Sequence, residues 1–307
     1  MSGSAPSENS GADQLSPAAA RRRLGQELRQ MREKAGLTLV DVGGQIERSQ
    51  ATMSRLEKGT SPARAVDVEK MLDIYRGMGV RDAEIFRDDV LSLLKTGRQK
   101  DWFSPFRDVL ASDMTGDHVE TLMSYEDDAS RIVSYEPDLV PGVLQTEQYA
   151  MNVIAAYFPD HTERQRARLL ELRLERGRRL RRRRDLQIDL VLSENALIRA
   201  FGGAETLRGQ LQTIEGEIHN GSPHITVRLA PSTLTLPAAI GGPFTVITTA
   251  DSADGDVVYL EQRSGARYLT SGDDVSGYAR QFETISAASL EREQAHDRVE
   301  EITKQLV

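Results

Sequence analysis

An all-helical N-terminal domain of five helices followed by a larger α+β domain is the fold this sequence predicts, on three observations. At about 150 residues per domain, the 307 residues suffice for two cores. Between Arg21 and Gly97 apolar residues recur at helical spacings of three and four, without strand-like alternation. From Ile132 onward, stretches alternating with period two are interspersed with stretches of helical period, as in an α+β unit. The expected boundaries are a disordered leader over 1–20, rich in Ser, Gly, Pro and Ala, a helical domain over 21–98 and an α+β domain over 99–307.

The helical elements follow from local signals. Leu24, Leu28, Met31 and Ala35 stripe a helix beginning at Arg21, and Gly36 stops it. Thr38 caps a second, short helix to about Ile46, with Val42 and Ile46 inward and Gly43 and Gly44 weakening it. Ser49 caps a third, carrying Thr52, Met53, Leu56 and Glu57 before a stop at Gly59. Two short helices on a tight turn make a helix-turn-helix. Residues 63–76, with Val66, Val68, Met71, Leu72 and Tyr75, and 82–97, with Ile85, Phe86, Val90, Leu91 and Leu94, complete the five.

Composition excludes several chemistries. With no cysteine, disulfides, cysteinyl zinc sites, iron–sulfur clusters and thiol nucleophiles are ruled out. The longest apolar run of the leader, Ala18 to Ala20, is far short of a signal-peptide core, and no run approaches the roughly 18 residues of a membrane span. A cytoplasmic chain with no membrane partner is expected. The net charge of −8 hides an asymmetry: residues 21–100 hold 17 Lys+Arg against 12 Asp+Glu, whereas 101–307 hold 22 against 33. The whole basic excess lies in 21–64, ten against five, a modest footprint for nucleic acid.

The stretch LTLVDVGGQIERSQATMSRLEKG, Leu37 to Gly59, resembles the helix-turn-helix of XRE-type regulators, the lambda and 434 repressor-like group, with SRLEKG its most specific part. In that group the turn usually carries Gly and a small apolar residue; here Glu47 and Arg48 stand there. The resemblance implies a double-stranded DNA partner and a homodimer on a pseudo-palindrome. The third helix would enter the major groove, where Gln50 and Arg55 can bond adenine and guanine, and Ala51 and the Thr52 methyl can meet thymine methyls. Thr38, Ser54, Lys58 and Thr60 are the expected phosphate contacts, which fix register without specifying sequence. The Arg21–Arg23 triplet reads either as a grip on flanking phosphate or minor groove, or as a charged helix start.

In the second domain, Trp102, Phe103 and Phe106 begin a new apolar cluster. Ile132, Val133 and Tyr135 lead into a corner, EPDLVPGVLQTEQYA, where Pro137 and Pro141 favour extended backbone and Thr146 caps a helix. Gln145 at this corner is either a binding residue or a turn residue bonding backbone. Thr162 and Gln165 form a capping box opening a long helix to about Arg183. Its end, Arg176 to Arg184, holds seven arginines in nine residues, open to three readings: a solvated end suiting the helix dipole and the acidic domain, a partner contact, or DNA backbone contact. Strands follow at Ile188–Leu192, Ile225–Leu229, Phe244–Thr249 and Val257–Glu261, with a helix striped by Leu207, Leu211, Ile214 and Ile218. Asp251–Asp256 reads as a hairpin turn, not a calcium loop, for want of the Glu at position twelve. Helices over 272–288 and 289–306 close the chain, with Val299, Ile302 and Leu306 as an apolar edge for dimerisation or docking.

The PGVLQT motif, with FGG at Phe201–Gly203, GPF at Gly242–Phe244 and VVYLE at Val257–Glu261, resembles the C-terminal domain of actinobacterial XRE-type regulators sometimes called WhiJ-like. That resemblance implies a sensor or partner-binding domain. Its partner would be a small protein encoded by a neighbouring gene, or a small-molecule effector, met at Pro141, Gly142, Leu144, Gln145 and Thr146. No cofactor, metal or catalytic activity comes with it. His118, His161, His219, His224 and His296 form no close ligand pair in sequence, nothing brings Glu194 and Glu261 together, and no P-loop, Rossmann or nucleophile-elbow motif is present. The alternative reading is an interaction module, antitoxin-like or partner-sequestering, in which DNA binding is secondary.

Overall fold

The computed structural model describes residues 15–110, 116–249, 255–262 and 265–306. Of the expected leader, 1–14 fall outside these, as does the Asp251–Asp254 part of the expected hairpin turn. Two compact units divide between Ser104 and Pro105, so Trp102 and Phe103 fall in the first.

Among its described residues, the first unit is a bundle of six helices. Helix α1 spans Pro17–Lys34, beginning four residues before Arg21. Ser16 caps it, accepting from the Ala19 N–H, Pro17 takes the first turn where its missing N–H costs nothing, and Ala18–Ala20 are buried. Helices α2 (Leu39–Gln45), α3 (Gln50–Glu57) and α4 (Ala65–Gly77) follow, and the expected fifth helix is broken at Phe86 into α5 (Asp82–Ile85) and α6 (Arg87–Gly97). Leu24, Leu28, Met31, Val42, Met53, Leu56, Val68, Met71, Leu72 and Val90 share one core. Each such side chain contributes about 1.5–3 kcal/mol by leaving water.

The second unit sets helices on both faces of a six-stranded mixed sheet, in the order β3-β2-β1-β4-β5-β6. The strands are β1 (Ala129–Glu136), β2 (Gln187–Ser193), β3 (Ile225–Ala230), β4 (Phe244–Thr249), β5 (Val257–Gln262) and β6 (Gly265–Leu269). β1, β2 and β3 are parallel, while β4 pairs antiparallel with both β1 and β5, and β6 antiparallel with β5. Helices α7 (Arg107–Leu110) and α8 (Gly116–Asp128) precede the sheet. α9 (Glu147–Tyr157) and α10 (Glu163–Arg182) cross from β1 to β2, and α11 (Glu194–Ile198) and α12 (Ala204–Asn220) from β2 to β3. α13 (Gly272–Ala287) and α14 (Arg292–Lys304) end the fold.

Alternation divides the two cores. Ile132, Ile188, Leu190, Leu192 and Val227 face Leu207, Leu211 and Ile214 of α12, whereas Val133, Tyr135, Val191 and Val246 face Phe282 and Ile285 of α13. Val299 and Ile302 are buried in the first of these cores, with Leu306 packed against it. The apolar edge expected to be free for docking is therefore used inside the domain.

Candidate nucleic-acid interface

The turn between α2 and α3 is closed by backbone geometry. Glu47 has φ of 59°, the left-handed conformation that ends a helix, and the Arg48 N–H donates to the Gly43 carbonyl at 2.8 Å. Glu47 thus adopts without a glycine the conformation that glycine takes most readily. Arg48 anchors the turn by a fork to Asp67 of α4, with bonds of 2.9 and 3.1 Å. The carbonyl of Arg48 runs so close to α2 that a Cβ on Gly43 would lie 2.6 Å from it.

Helix α3 is seated equally firmly. A Cβ on Gly25 of α1 would come within 2.4 Å of the Glu57 carbonyl oxygen, so the two backbones touch. At the far end Gly59, with φ of 67°, lets the Thr60 N–H reach the Arg55 carbonyl at 3.0 Å. Glu57 is buried and forked by Arg32, at 2.7 and 2.9 Å, while Arg32 also donates to the Leu37 carbonyl. Burial, together with the Glu57 charge, pushes the nearby Tyr75 hydroxyl well up.

This seating presents one face of α3. Met53, Leu56 and Glu57 point inward, while Gln50, Ala51, Arg55 and Lys58 are exposed and Ser54 is half-buried. Residues 50, 54 and 58 form one row at a spacing of four, and 51 and 55 the adjacent row. Thr52 lies at the margin, its hydroxyl 2.9 Å from that of Ser49. The Thr60 hydroxyl donates to the Arg55 carbonyl, and both the N–H and hydroxyl of Thr38 donate to the Asp41 carboxylate, which they hold below the usual range. Five expected residues therefore come together with free polar or methyl groups, whereas the three threonine hydroxyls are already bonded. Arg21 bonds the Gly97 carbonyl and Asp101, and Arg22 is buried, so at these two positions the triplet serves the bundle.

The corner motif is built with similar care. Pro141 leads into a single 3-10 turn over Gly142–Leu144, and Thr146 caps α9. Gln145 donates to the Val140 carbonyl at 2.7 Å and accepts from Arg173 at 3.1 Å. Gln210, fully buried on α12, accepts from the Thr146 N–H and donates to the Leu144 carbonyl, both at 2.8 Å. Of the arginine run, Arg176 forks Glu126, Arg181 binds Glu217 and the Val143 carbonyl, and Arg183 bonds the carbonyls of Glu126, Asp127 and Ala129. Much of the run thus ties α10 to the acidic domain, and Arg182 and Arg184 are exposed.

Residues 119–301 match the family model of a domain of unknown function (DUF5753), and 23–84 match a helix-turn-helix domain. The chain belongs to the DUF5753 family. Neither the curated proteins nor the solved structures give a match. The helix-turn-helix match coincides with the α2–turn–α3 geometry and supports a DNA-binding regulator.

Elsewhere in this DUF5753 protein, the fold brings His219 and His296 together, with ring centroids 5.5 Å apart, which the sequence alone did not suggest. No group of three or more His, Asp or Glu among the described residues is set to hold a metal ion. Glu194 is buried against Arg298, while Glu261 is exposed. Among the described residues no helix is long and apolar enough to cross a membrane.

Proposed function

We propose that the protein is a sequence-specific transcriptional regulator that grips a pseudo-palindromic operator as a homodimer, its two recognition helices about 34 Å apart in successive major grooves. The observation that carries this reading is the exposed face of α3, held by the Glu47 turn, Gly25 and the Arg32–Glu57 pair. On it Gln50, Ala51, Thr52 and Arg55 read bases. Ser54 and Lys58 meet phosphates, and Thr38 and Thr60 do so by exchanging their internal bonds for phosphate oxygens. The basic excess of residues 21–64 supports the same surface.

The C-terminal domain is the input half, a sensor or partner-binding domain of the WhiJ-like kind. A small neighbouring-gene protein or an effector binds at the Pro141–Thr146 corner and shifts DNA affinity by its differential affinity for two states. The regulator works by binding, without catalysis, in the cytoplasm and on the nucleoid. Anisotropy titrations at fixed salt test the interface. Arg55→Ala should cost about 1–3 kcal/mol on the specific site and relax sequence preference, whereas Lys58→Ala should weaken all sequences alike. Unchanged specific affinity in Arg55→Ala would refute the assignment.

A further inference from the structure

One arginine of α10 is not paired like its neighbours. Arg173, three residues before Arg176, makes a single bond, from Nη1 to Gln145, and among the described residues its Nε and Nη2 have no acceptor. Those two N–H groups point in parallel, the side-on fork that a carboxylate fills. The side chain is half-buried, and burial together with the charge of Arg176 pulls its pKa down to about 10. A partly dehydrated guanidinium with two open donors is stabilised by an acceptor from outside the chain.

The topology sets this arginine among complementary groups. β1 and β5 each run antiparallel to β4, hence parallel to one another, so Glu136, the last residue of β1, and Glu261 of β5 reach the same edge of the sheet. β2 and β3 end at this edge as well, and β1 is where the strand order turns from β2 on one side to β4 on the other. The carboxyl ends of the three parallel strands, outside which open α/β sheets take their ligands, thus lie at this edge. The Pro141–Thr146 corner follows directly from β1 and clamps Arg173 through Gln145. Glu136 accepts one bond, from Ser134 at 2.7 Å, and burial, reinforced by Glu261, pushes its pKa up to about 7. Glu261 and Tyr157, both exposed, open the edge to solvent.

Charge selects the class of ligand. Arg176 and Glu126 neutralise one another, leaving Arg173, Glu136 and Glu261 with a sum of −1, or zero when Glu136 holds a proton. A molecule with one charge of each sign fits this set better than a dianion or a divalent cation. We propose that this edge binds a small amphoteric molecule of the amino-acid type: Arg173 forks its carboxylate, Glu261 and Glu136 take its ammonium group, and Tyr157 lies beside its side chain. The inference rests on the reading of the C-terminal domain as the input half and names what enters it.

Thermal unfolding of the full chain with each common L-amino acid at about 10 mM is the test. At tenfold above a millimolar Kd, the matching amino acid should raise the midpoint by about 3 °C. Its deamino acid should retain part of the shift and its decarboxylated amine little. Arg173→Met, which removes the unfilled charge and should fold at least as well, should abolish the shift. Glu261→Gln should erase the advantage of the amino acid over its deamino acid. No shift with any amino acid, or an equal shift in Arg173→Met, would overturn the proposal. So would a response confined to peptides with a free carboxyl terminus, which would make the edge a protein-binding site. Selective DNA capture by the same preparations separates the two readings: its absence with the thermal shift intact removes the DNA-reading proposal alone, and the converse removes this one alone.

Discussion

Arg32, near the end of α1, holds the Glu57 carboxylate of α3 by two bonds of 2.7 and 2.9 Å, with both side chains almost withdrawn from solvent. The pair joins the helix that organises the bundle to the helix that faces outward. Because Glu57 adjoins Leu56 and Lys58, the fork also fixes the rotation of α3 about its own axis, and so the direction of Arg55.

Breaking that fork should be costly. Glu57→Ala leaves the buried Arg32 guanidinium with only the Leu37 carbonyl and the more distant, half-exposed Glu33 at 3.6 Å, and a loss of about 3 kcal/mol, the lower end for a broken buried pair, is expected in urea unfolding of the N-terminal transition. Arg32→Met combined with Glu57→Leu should recover much of it, because neither charge is then stranded. A double variant no better than Glu57→Ala would show that packing, not charge burial, sets the cost.

Glu47 stores strain in the turn. A side chain at φ of 59° costs about 1 kcal/mol relative to glycine, so Glu47→Gly should raise the unfolding midpoint while leaving DNA affinity nearly unchanged. A lower midpoint would mean that Glu47 makes a compensating interaction.

Glu136 gives the second domain a pH signature. Its folded pKa, about 7, lies above its ordinary value of 4.5, so the folded state binds the proton more tightly than the unfolded chain. The resulting cost is absent below about pH 4.5, grows through the interval and is complete above about pH 7. Glu136→Gln should therefore match the wild type near pH 4 and exceed it near pH 8.5, by at most about 3 kcal/mol. Parallel pH profiles of urea unfolding for the two proteins would contradict this.

What the sequence disclosed was mostly local. Thr38, Ser49, Thr146 and Thr162 cap the helices assigned to them, and Gly36 and Gly59 close helices in the left-handed conformation, because each signal acts within a few residues. Ser16 and Pro17 carry an equally local start signal, but the alanines after them have no amphipathic stripe, and only their burial in the bundle shows that they belong to α1. β6, reading GARYL, has too little alternation to stand out, and it exists by pairing with β5. The pairs Arg32–Glu57 and Arg48–Asp67 span 25 and 19 residues and leave no local trace. Arg173 was hidden for the same reason, inside a helix where arginines abound, until the Gln145 corner and the strand ends gathered around it.

Whether α3 reads DNA sequence under the control of the C-terminal domain is decided by recovering genomic fragments bound by the purified protein. The recovery is repeated with the amino acids that shift its unfolding. The expected result is a discrete palindromic motif, with half-sites one helical turn apart, whose recovery changes when an effector is added. Recovery that is weak, salt-sensitive and indifferent to sequence under every condition would contradict it.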